Sequence, residues 1–279
     1  MKPFLFKLFT SILIICTVGG AFAQDFQGKA YYQSKTTMDM SRFTGNRQFT
    51  PDQIKRFQER MKSFLEKQYT LVFNKEESIY KEEERIEAPN SGRGWGGFSS
   101  GLSGGPKYKN VKTKELLQDQ EFFGKQFLIK DELEPLAWKM GSETKQIGQY
   151  ACFKATAIIP DTSFDWGSRS RRNDEEKDES KEAEEEKTIE VVAWYTPQVP
   201  INQGPDNYWG LPGLILEVSA GRTTILCTKI VMNPKEKEEI KKPEKGEEVT
   251  QEEYTIITTE KMEEMREMRG RRQGNGRRN

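Results

Sequence analysis

Short runs of apolar and β-branched residues recur along the chain, and their period is that of strands rather than of helices. The first is GKAYYQSKTTM (28–38), and YTLVFN (69–74) with SIYKEE (78–83) has the pattern of a hairpin. About nine such runs occur, and short or polar connections join them without intervening helices. The pattern therefore predicts a mainly β fold whose strands pair antiparallel.

One early segment, TPDQIKRFQERMKSFLEKQ, carries apolar residues at helical spacing. Thr50 is a suitable N-cap, Pro51 suits the first helical position, and Gln53 completes a capping box. The polar face mixes Lys, Arg and Glu, which favours packing on the sheet over lying on a membrane surface. A second helix is predicted at the C-terminus, over Glu260–Met268. We therefore expect an antiparallel sheet with one packed amphipathic helix and a C-terminal helix.

Three polar segments interrupt the apolar pattern. Residues 90–106 are Gly- and Ser-rich, residues 168–187 are almost purely charged, and residues 235–248 are rich in Lys and Glu. Such compositions bury little apolar surface, so each is predicted to be a disordered insertion. The expected organisation is one β domain over 24–265, followed by a flexible Arg/Gly-rich tail at 266–279.

The N-terminus has the pattern of a secretory signal peptide. Lys2 and Lys7 precede the apolar run Leu8–Val18, and Ala21-Phe22-Ala23 provides a cleavage site. The run is short for a membrane span, although an uncleaved anchor is the alternative. Residues 1–23 therefore predict export to the periplasm, with no transmembrane span in the mature chain.

The amino-acid composition limits the classes of function that the chain can have. Lys+Arg and Asp+Glu are equal at 44 each, so no net field favours nucleic acid as a partner. The chain has no histidine, which excludes Ser-His-Asp triads and His-based metal sites. We expect no cofactor, no metal and no enzymatic activity, with a carboxylate-based hydrolase as an alternative. The best candidate for a buried acid is Glu217, which needs a Lys or Arg partner or a raised pKa unless it faces an edge.

Two cysteines, Cys152 and Cys227, remain after the predicted cleavage. Exported proteins tolerate disulfides, but each cysteine lies in an apolar, strand-like run. A disulfide and a pair of buried free thiols are therefore both open.

The most distinctive segment is YWGLPGLILEV at 208–218. Its Leu211-Pro212-Gly213-Leu214 sequence predicts a type II turn, in which Gly213 supplies the positive φ. Gly210 is expected to allow close approach of the backbone. The turn leads into Leu214–Val218, which is apolar on both faces except for Glu217 and predicts a central strand covered on both sides.

The hexapeptide GLPGLI at 210–215, preceded by AWYT at 193–196, resembles the GLPGLI family of Bacteroidetes-type bacteria. The resemblance implies export to the periplasm and association with outer-membrane, TonB-dependent transport systems. The motif positions are Gly210, Leu211, Pro212, Gly213, Leu214 and Ile215. The order of segments is also similar, more loosely, to lipoprotein-carrier (LolA-like) proteins. That second resemblance implies a curved, half-barrel-like sheet that holds acyl chains or another apolar ligand.

The expected function is that of a non-enzymatic binding or accessory protein of the cell envelope. It would hold an apolar ligand, or dock on an outer-membrane TonB-dependent transporter, and a purely structural envelope protein is the alternative. Large side chains near the motif are the candidate binding surface, although each aromatic residue can equally serve to cap the core. The candidate binding residues are Trp194, Tyr195, Tyr208, Trp209 and Glu217.

Overall fold

The computed structural model describes residues 26–37, 50–83, 104–160 and 188–275. The predicted signal peptide (1–23), the charged insertion (168–187) and most of the Gly/Ser-rich insertion (90–106) lie outside the described residues. Within the described part of the chain, twelve strands form one sheet and two helices accompany it. The mainly β fold predicted from the sequence is confirmed.

The strands appear in chain order as β1 Gly28–Thr36, β2 Glu66–Phe73, β3 Glu77–Glu82, β4 Lys107–Asn110, β5 Glu115–Phe122, β6 Lys125–Glu132, β7 Lys139–Ile147, β8 Tyr150–Pro160, β9 Thr188–Thr196, β10 Leu214–Ala220, β11 Thr223–Met232 and β12 Glu247–Val249. The helices are α1 Pro51–Leu65 and α2 Gln251–Asn275. Neighbours in the sheet follow the order β12-β6-β5-β4-β3-β2-β1-β11-β10-β9-β8-β7. Every pair is antiparallel except β12 with β6, which is parallel.

The sheet is strongly curved, as the connection between β6 and β7 requires. Ten inter-strand steps separate these two strands, which would place them about 48 Å apart in a flat sheet. The chain from Glu132 to Lys139 covers seven residue steps, and even fully extended it reaches only about 25 Å. The sheet must therefore bend until its two ends approach each other, without β7 and β12 pairing to close it.

Helix α1 begins as its sequence predicts. The Thr50 side chain accepts a hydrogen bond from the Gln53 amide, and the Gln53 side chain accepts one from the Thr50 amide. Among the side chains described in this helix, Ile54, Met61 and Leu65 are half-buried and the remaining ones are exposed. The helix therefore lies at the margin of the sheet and leads directly into β2.

Helix α2 is longer than predicted. It begins at Gln251 rather than near Glu260 and continues to Asn275, into the segment predicted as a flexible tail. Tyr254, Ile257 and Met262 pack on the buried side chains of β5, β6 and β12. These contacts, which lie mostly before Glu260, explain why the helix starts earlier than its weak apolar pattern indicated.

The segment 233–246 includes most of the stretch predicted to be a disordered insertion (235–248), and several of its side chains contact the sheet. It crosses one face of the sheet from β11 to β12, and we call it the outer strap. Glu238 forms ion pairs with Lys29 on β1 and Lys81 on β3. Farther along, Ile240 packs on the cluster around Tyr108, and Lys242 pairs with a carboxylate on β5. Charges that look fully solvated in the sequence therefore have partners on this outer face.

Candidate functional site

The opposite, inner face of the sheet is crossed by residues 197–213, which we call the crossing segment. Strands β9 and β10 are neighbours in the sheet, yet the chain between them leaves the sheet and reaches as far as β4. Ser78 on β3 donates to the Gln203 side chain at 2.8 Å. Lys109 on β4 donates from Nζ to the Gly204 carbonyl oxygen at 2.7 Å. The inner face is therefore partly filled by the protein's own chain.

The turn at the end of the crossing segment differs from the predicted type II turn. The Gly213 amide donates to the Leu211 carbonyl oxygen at 2.8 Å, which gives a tight three-residue turn about Pro212. The positive φ belongs to Gly210, at 92°, and not to Gly213. Gly213 is required because a Cβ there would lie 2.2 Å from the Thr196 carbonyl oxygen. The roles predicted for the two glycines are thus exchanged.

The strand after this turn agrees with the prediction. Leu214, Ile215, Leu216 and Val218 of β10 are all buried, so the strand is covered on both sides. The Tyr32 hydroxyl donates to the Ile215 carbonyl oxygen at 2.7 Å, where the β10 ladder has an irregularity. The motif is therefore a structural junction between the crossing segment and the centre of the sheet.

Trp209 joins the motif to the short linker between β6 and β7. Its Nε1 donates to the Glu134 carbonyl oxygen at 3.0 Å, and its own carbonyl oxygen accepts from Nε1 of Trp138 at 2.8 Å. Trp209 is buried. Because this linker brings the two ends of the sheet together, the reciprocal tryptophan contacts help to hold the curvature.

Trp194 and Glu217 lie together, as register partners on β9 and β10. Lys145 of β7 donates to both Glu217 carboxylate oxygens at 2.7 Å, and its Nζ lies 4.4 Å from the centre of the Trp194 ring. Of the alternatives left open for Glu217, the structure has the lysine partner. This cluster is a cation–π and ion-pair contact that is already satisfied.

Tyr195 and Tyr208 lie in different surroundings from Trp194. Tyr195 is buried, and its hydroxyl donates to Sδ of Met140 at 3.7 Å. Tyr208 is half-buried and packs against two core clusters, while its carbonyl oxygen accepts from Lys109 at 3.4 Å. The structure therefore brings Trp194 and Glu217 together but distributes the other predicted binding residues among separate core contacts.

Cys152 and Cys227 are free thiols, and both are buried in the same core cluster. Burial raises the pKa of Cys152 to about 11 and that of Cys227 to about 12. Of the two alternatives that the sequence leaves open, the structure has the pair of unreactive buried thiols.

The inner face contains a cavity of about 370 Å³ beside the crossing segment. Ser34 and Thr36 of β1, Thr223 of β11 and Gln118 of β5 bring hydroxyl and amide groups to its wall. Leu65, at the end of α1, is among its apolar lining residues. The volume is in the range of small-molecule sites in proteins.

Two ion pairs lie in the same wall. Lys67 pairs with Glu82 at 2.9 Å, and Lys107 of β4 pairs with Asp206 of the crossing segment. Burial acts to raise the pKa of Asp206, but the Lys107 and Lys109 ammonium groups outweigh it, so this pKa lies below its ordinary value. Asp206 also has a left-handed backbone, with φ at 50°, a conformation that is uncommon for residues other than glycine.

Tyr69 and Tyr80 form an aromatic part of the wall. Their rings stack with centroids 4.7 Å apart and an interplanar angle of 11°. The Tyr80 hydroxyl is buried and has no hydrogen-bond partner among the described residues. Burial raises the pKa of Tyr80, so the hydroxyl is neutral. Sequence reasoning missed both tyrosines, although the alternation of the β2–β3 hairpin places them on one face.

The described residues contain no group of three or more Asp, Glu or Cys side chains placed to hold a metal ion. Nor is either helix, within the portion of the chain that is described, long and apolar enough to cross a membrane.

Part of the chain, including the GLPGLI motif, matches the model of a known protein family. Residues 138–217 match the model of a family described as "Protein of unknown function (Porph_ging)", a Bacteroidetes-type family related to the GLPGLI proteins. The match runs from the linker before β7 to β10 and includes the GLPGLI hexapeptide. A search of curated proteins gave no significant match. The looser resemblance to lipoprotein carriers stays a prediction.

Two solved structures can be aligned with part of this structure. They are described as "Structure of PNGF-II in C2 space group" and "Structure of PNGF-II in P21 space group". Their sequence identities are 13% and 15%, and the TM-score is 0.46 for each. The aligned part covers 83% of this chain but only 32% and 33% of those chains. The protein thus spans about a third of the length of these structures, and the likeness supports no inference about activity.

Proposed function

We propose that the protein is an exported, non-enzymatic binding protein of the cell envelope that holds a small ligand in its inner-face cavity. The N-terminal pattern of residues 1–23 supports export, and the absence of histidine argues against the common catalytic arrangements. The family model that matches residues 138–217 is described as one of unknown function, so it assigns no activity.

The observation that carries this proposal is the cavity wall built around Tyr80. A buried hydroxyl without a partner is rare in folded proteins, because it forfeits about 1–3 kcal/mol. Tyr80 is one of the residues that line the 370 Å³ cavity, as are Lys107 and Asp206 of the ion pair. Polar groups that converge on a preformed concavity are the usual features of a binding site.

The cavity argues against a long acyl chain as its ligand. The crossing segment fills much of the inner face, and the side chains at the cavity are largely polar or charged. Burying lipid carbon against ion pairs and hydroxyl groups would remove their hydration without a compensating hydrogen bond. The ligand that we propose is therefore smaller and more polar than the sequence alone suggested.

Docking on an envelope partner is a second candidate, supported by a different surface. Strand β7 is an edge of the sheet, and most of its residues are exposed. Met140 in this strand and Ile158 in the neighbouring β8 are 55% and 64% exposed, which is high for large apolar side chains. Exposed strand edges with apolar neighbours are typical sites of pairing with another chain.

Native mass spectrometry of the mature protein, isolated from the periplasmic fraction of its host, tests the first candidate. We expect one bound small molecule per chain, which is absent from a Ser34→Trp variant that fills the cavity. Crosslinking in intact cells tests the second candidate, with Met140→Asp as the variant that should lose the partner. Recovery of the protein in the cytoplasmic fraction with residues 1–23 uncleaved would contradict the export that both candidates require.

A further inference from the structure

We infer that the inner-face cavity selects a small, uncharged ligand that carries hydroxyl or amide groups and has one apolar face, as in a sugar unit or a neutral peptide unit. This inference rests on the proposed binding function and names the ligand class for the same site. Three properties of the cavity wall lead to it: the balance of its charges, the nature of its uncharged polar groups and the position of its aromatic rings.

The charges of the wall are balanced and already paired. Lys67 and Lys107 contribute two positive charges, which Glu82 and Asp206 offset through direct ion pairs. A charged ligand would have to displace one member of a pair and leave the other uncompensated in a partly buried position, which is costly. A neutral ligand leaves both pairs intact and can still hydrogen-bond to their outer atoms.

The remaining polar groups of the wall both donate and accept hydrogen bonds. Thr36 and Thr223 share one hydrogen bond at 2.9 Å, so each hydroxyl keeps capacity for another partner. Gln118 donates from Nε2 to Gln120 at 3.1 Å, and Ser34 adds a further hydroxyl. Hydroxyl and amide groups on a ligand can hydrogen-bond to side chains that both donate and accept, whereas an acyl chain cannot.

The aromatic and aliphatic part of the wall provides an apolar contact of limited size. The stacked pair of Tyr69 and Tyr80 lies in the wall together with Ile225. A sugar ring or a peptide unit presents C–H groups on one face and polar groups at its rim, which matches a wall divided in this way. Rigid tyrosine rings offer this contact at a low cost in side-chain entropy.

Calorimetric titration of the full mature chain with probes of similar size tests the inference. N,N′-diacetylchitobiose and an N-acetylated, C-amidated Ala-Ser dipeptide represent the two neutral sources. Deacetylated chitobiose, digalacturonate and dodecanoate represent cationic, anionic and acyl ligands. We expect at least one neutral probe to bind about tenfold or more tightly than every charged or acyl probe, and the better neutral probe identifies the source.

The double variant Thr36→Val/Thr223→Val provides the structural control. It removes both hydroxyl groups of one hydrogen bond and leaves no orphan, so its melting temperature should stay close to that of the wild type. We expect its affinity for the neutral probe to fall about tenfold or more, which corresponds to about 1.4 kcal/mol. Thr228→Val, on the exposed side of the same strand β11, should bind like the wild type.

The outcomes separate the ligand class from the binding function. Preference for dodecanoate or for a charged probe would overturn the ligand class and leave the binding function standing. Neutral binding that survives both in the double variant and in Ser34→Trp would place the site elsewhere and overturn the inference. Failure of every probe, together with an empty protein in native mass spectrometry, would overturn the binding function itself.

Discussion

Replacing Lys109 with methionine tests whether the fold contains a lysine that loses its proton near neutral pH. The side chain is fully buried, and its Nζ donates to the carbonyl oxygens of Gly204 and Tyr208. Burial lowers the pKa of Lys109 from 10.5 to about 7, an effect that Asp206 opposes and Lys107 reinforces. Methionine is similar in length and uncharged, so it removes the titration while it fills the same space.

The sign of the effect follows from proton linkage. Unfolded Lys109 keeps its proton up to about pH 10.5, whereas the folded side chain releases it near pH 7. In this window the unfolded chain binds more protons, so the free energy of unfolding rises with pH. With these two pKa values, the rise is about 1 kcal/mol from pH 7 to pH 8 and about 2 kcal/mol from pH 7 to pH 9.

At higher pH, the two buried thiols change the free energy of unfolding in the opposite direction. The folded pKa values of Cys152 and Cys227 lie above the ordinary value of 9.0, so the stability they contribute is lost as the pH rises above that value. The wild type and Lys109→Met share these thiols. The difference in unfolding free energy between the two proteins therefore isolates Lys109.

Urea unfolding, followed by tryptophan fluorescence at about pH 7, 8 and 9 and constant ionic strength, measures this difference. Lys112→Met is the matched control, because Lys112 is an exposed lysine in the turn after β4. We expect the stability of the wild type relative to Lys109→Met to increase by about 2 kcal/mol across the range. The stability of the control should change in parallel with that of the wild type. A difference that is independent of pH would show that folded Lys109 keeps its proton, and would refute the reasoning.

Four further substitutions test individual contacts by urea titration. Gly213→Ala should cost more than about 2 kcal/mol, because its Cβ would overlap the main chain at the end of β9. Gly210→Ala would meet only Trp138, at an ordinary contact distance, and should cost about 1–2 kcal/mol for its left-handed backbone. The reverse order of the two costs would contradict this assignment. Tyr32→Phe should cost about 1–2 kcal/mol, since it removes a hydrogen bond to a buried carbonyl oxygen, and a variant as stable as the wild type would argue against that bond. Lys145→Met should cost less than about 1 kcal/mol, because its ion pair with Glu217 is partly solvated, and a larger loss would mean that the pair is better shielded than its exposure indicates.

The strands and the start of α1 follow from local sequence, because their causes are local. Alternation places the β2–β3 hairpin correctly, and Gly124, with φ at 78°, lies in the turn of the β5–β6 hairpin. The capping box of Thr50 and Gln53 involves residues three apart. Features that depend on neighbours in sequence are therefore well predicted.

The outer strap shows why other features escaped prediction. Its Lys- and Glu-rich sequence resembles a solvated loop, and its ion pairs are with partners far away in the chain. Glu238 pairs with Lys29, and Lys242 pairs with Glu115. Such long-range charge pairs leave no local pattern.

The candidate site escaped prediction for a related reason. Tyr80 and Asp206 come from a hairpin and from the crossing segment, and only the curved sheet brings them to one cavity. The aromatic residues near the motif were the more prominent signal in the sequence, yet Trp209 binds the linker backbone instead of a ligand. In this chain, conspicuous aromatic residues build the junction, and inconspicuous polar residues line the cavity.

The position of β1 in the middle of the sheet has a consequence for how the chain reaches its native state. Strands β2 to β6, which follow β1 along the chain, lie on one side of it in the sheet. The other side of β1 pairs with β11, at residues 223–232, which is synthesised much later. During synthesis, the N-terminal half therefore carries an open backbone ladder until most of the polypeptide has been made. Such a ladder can pair with a neighbouring nascent chain, so the yield of soluble protein depends on how quickly the late strand arrives to occupy it.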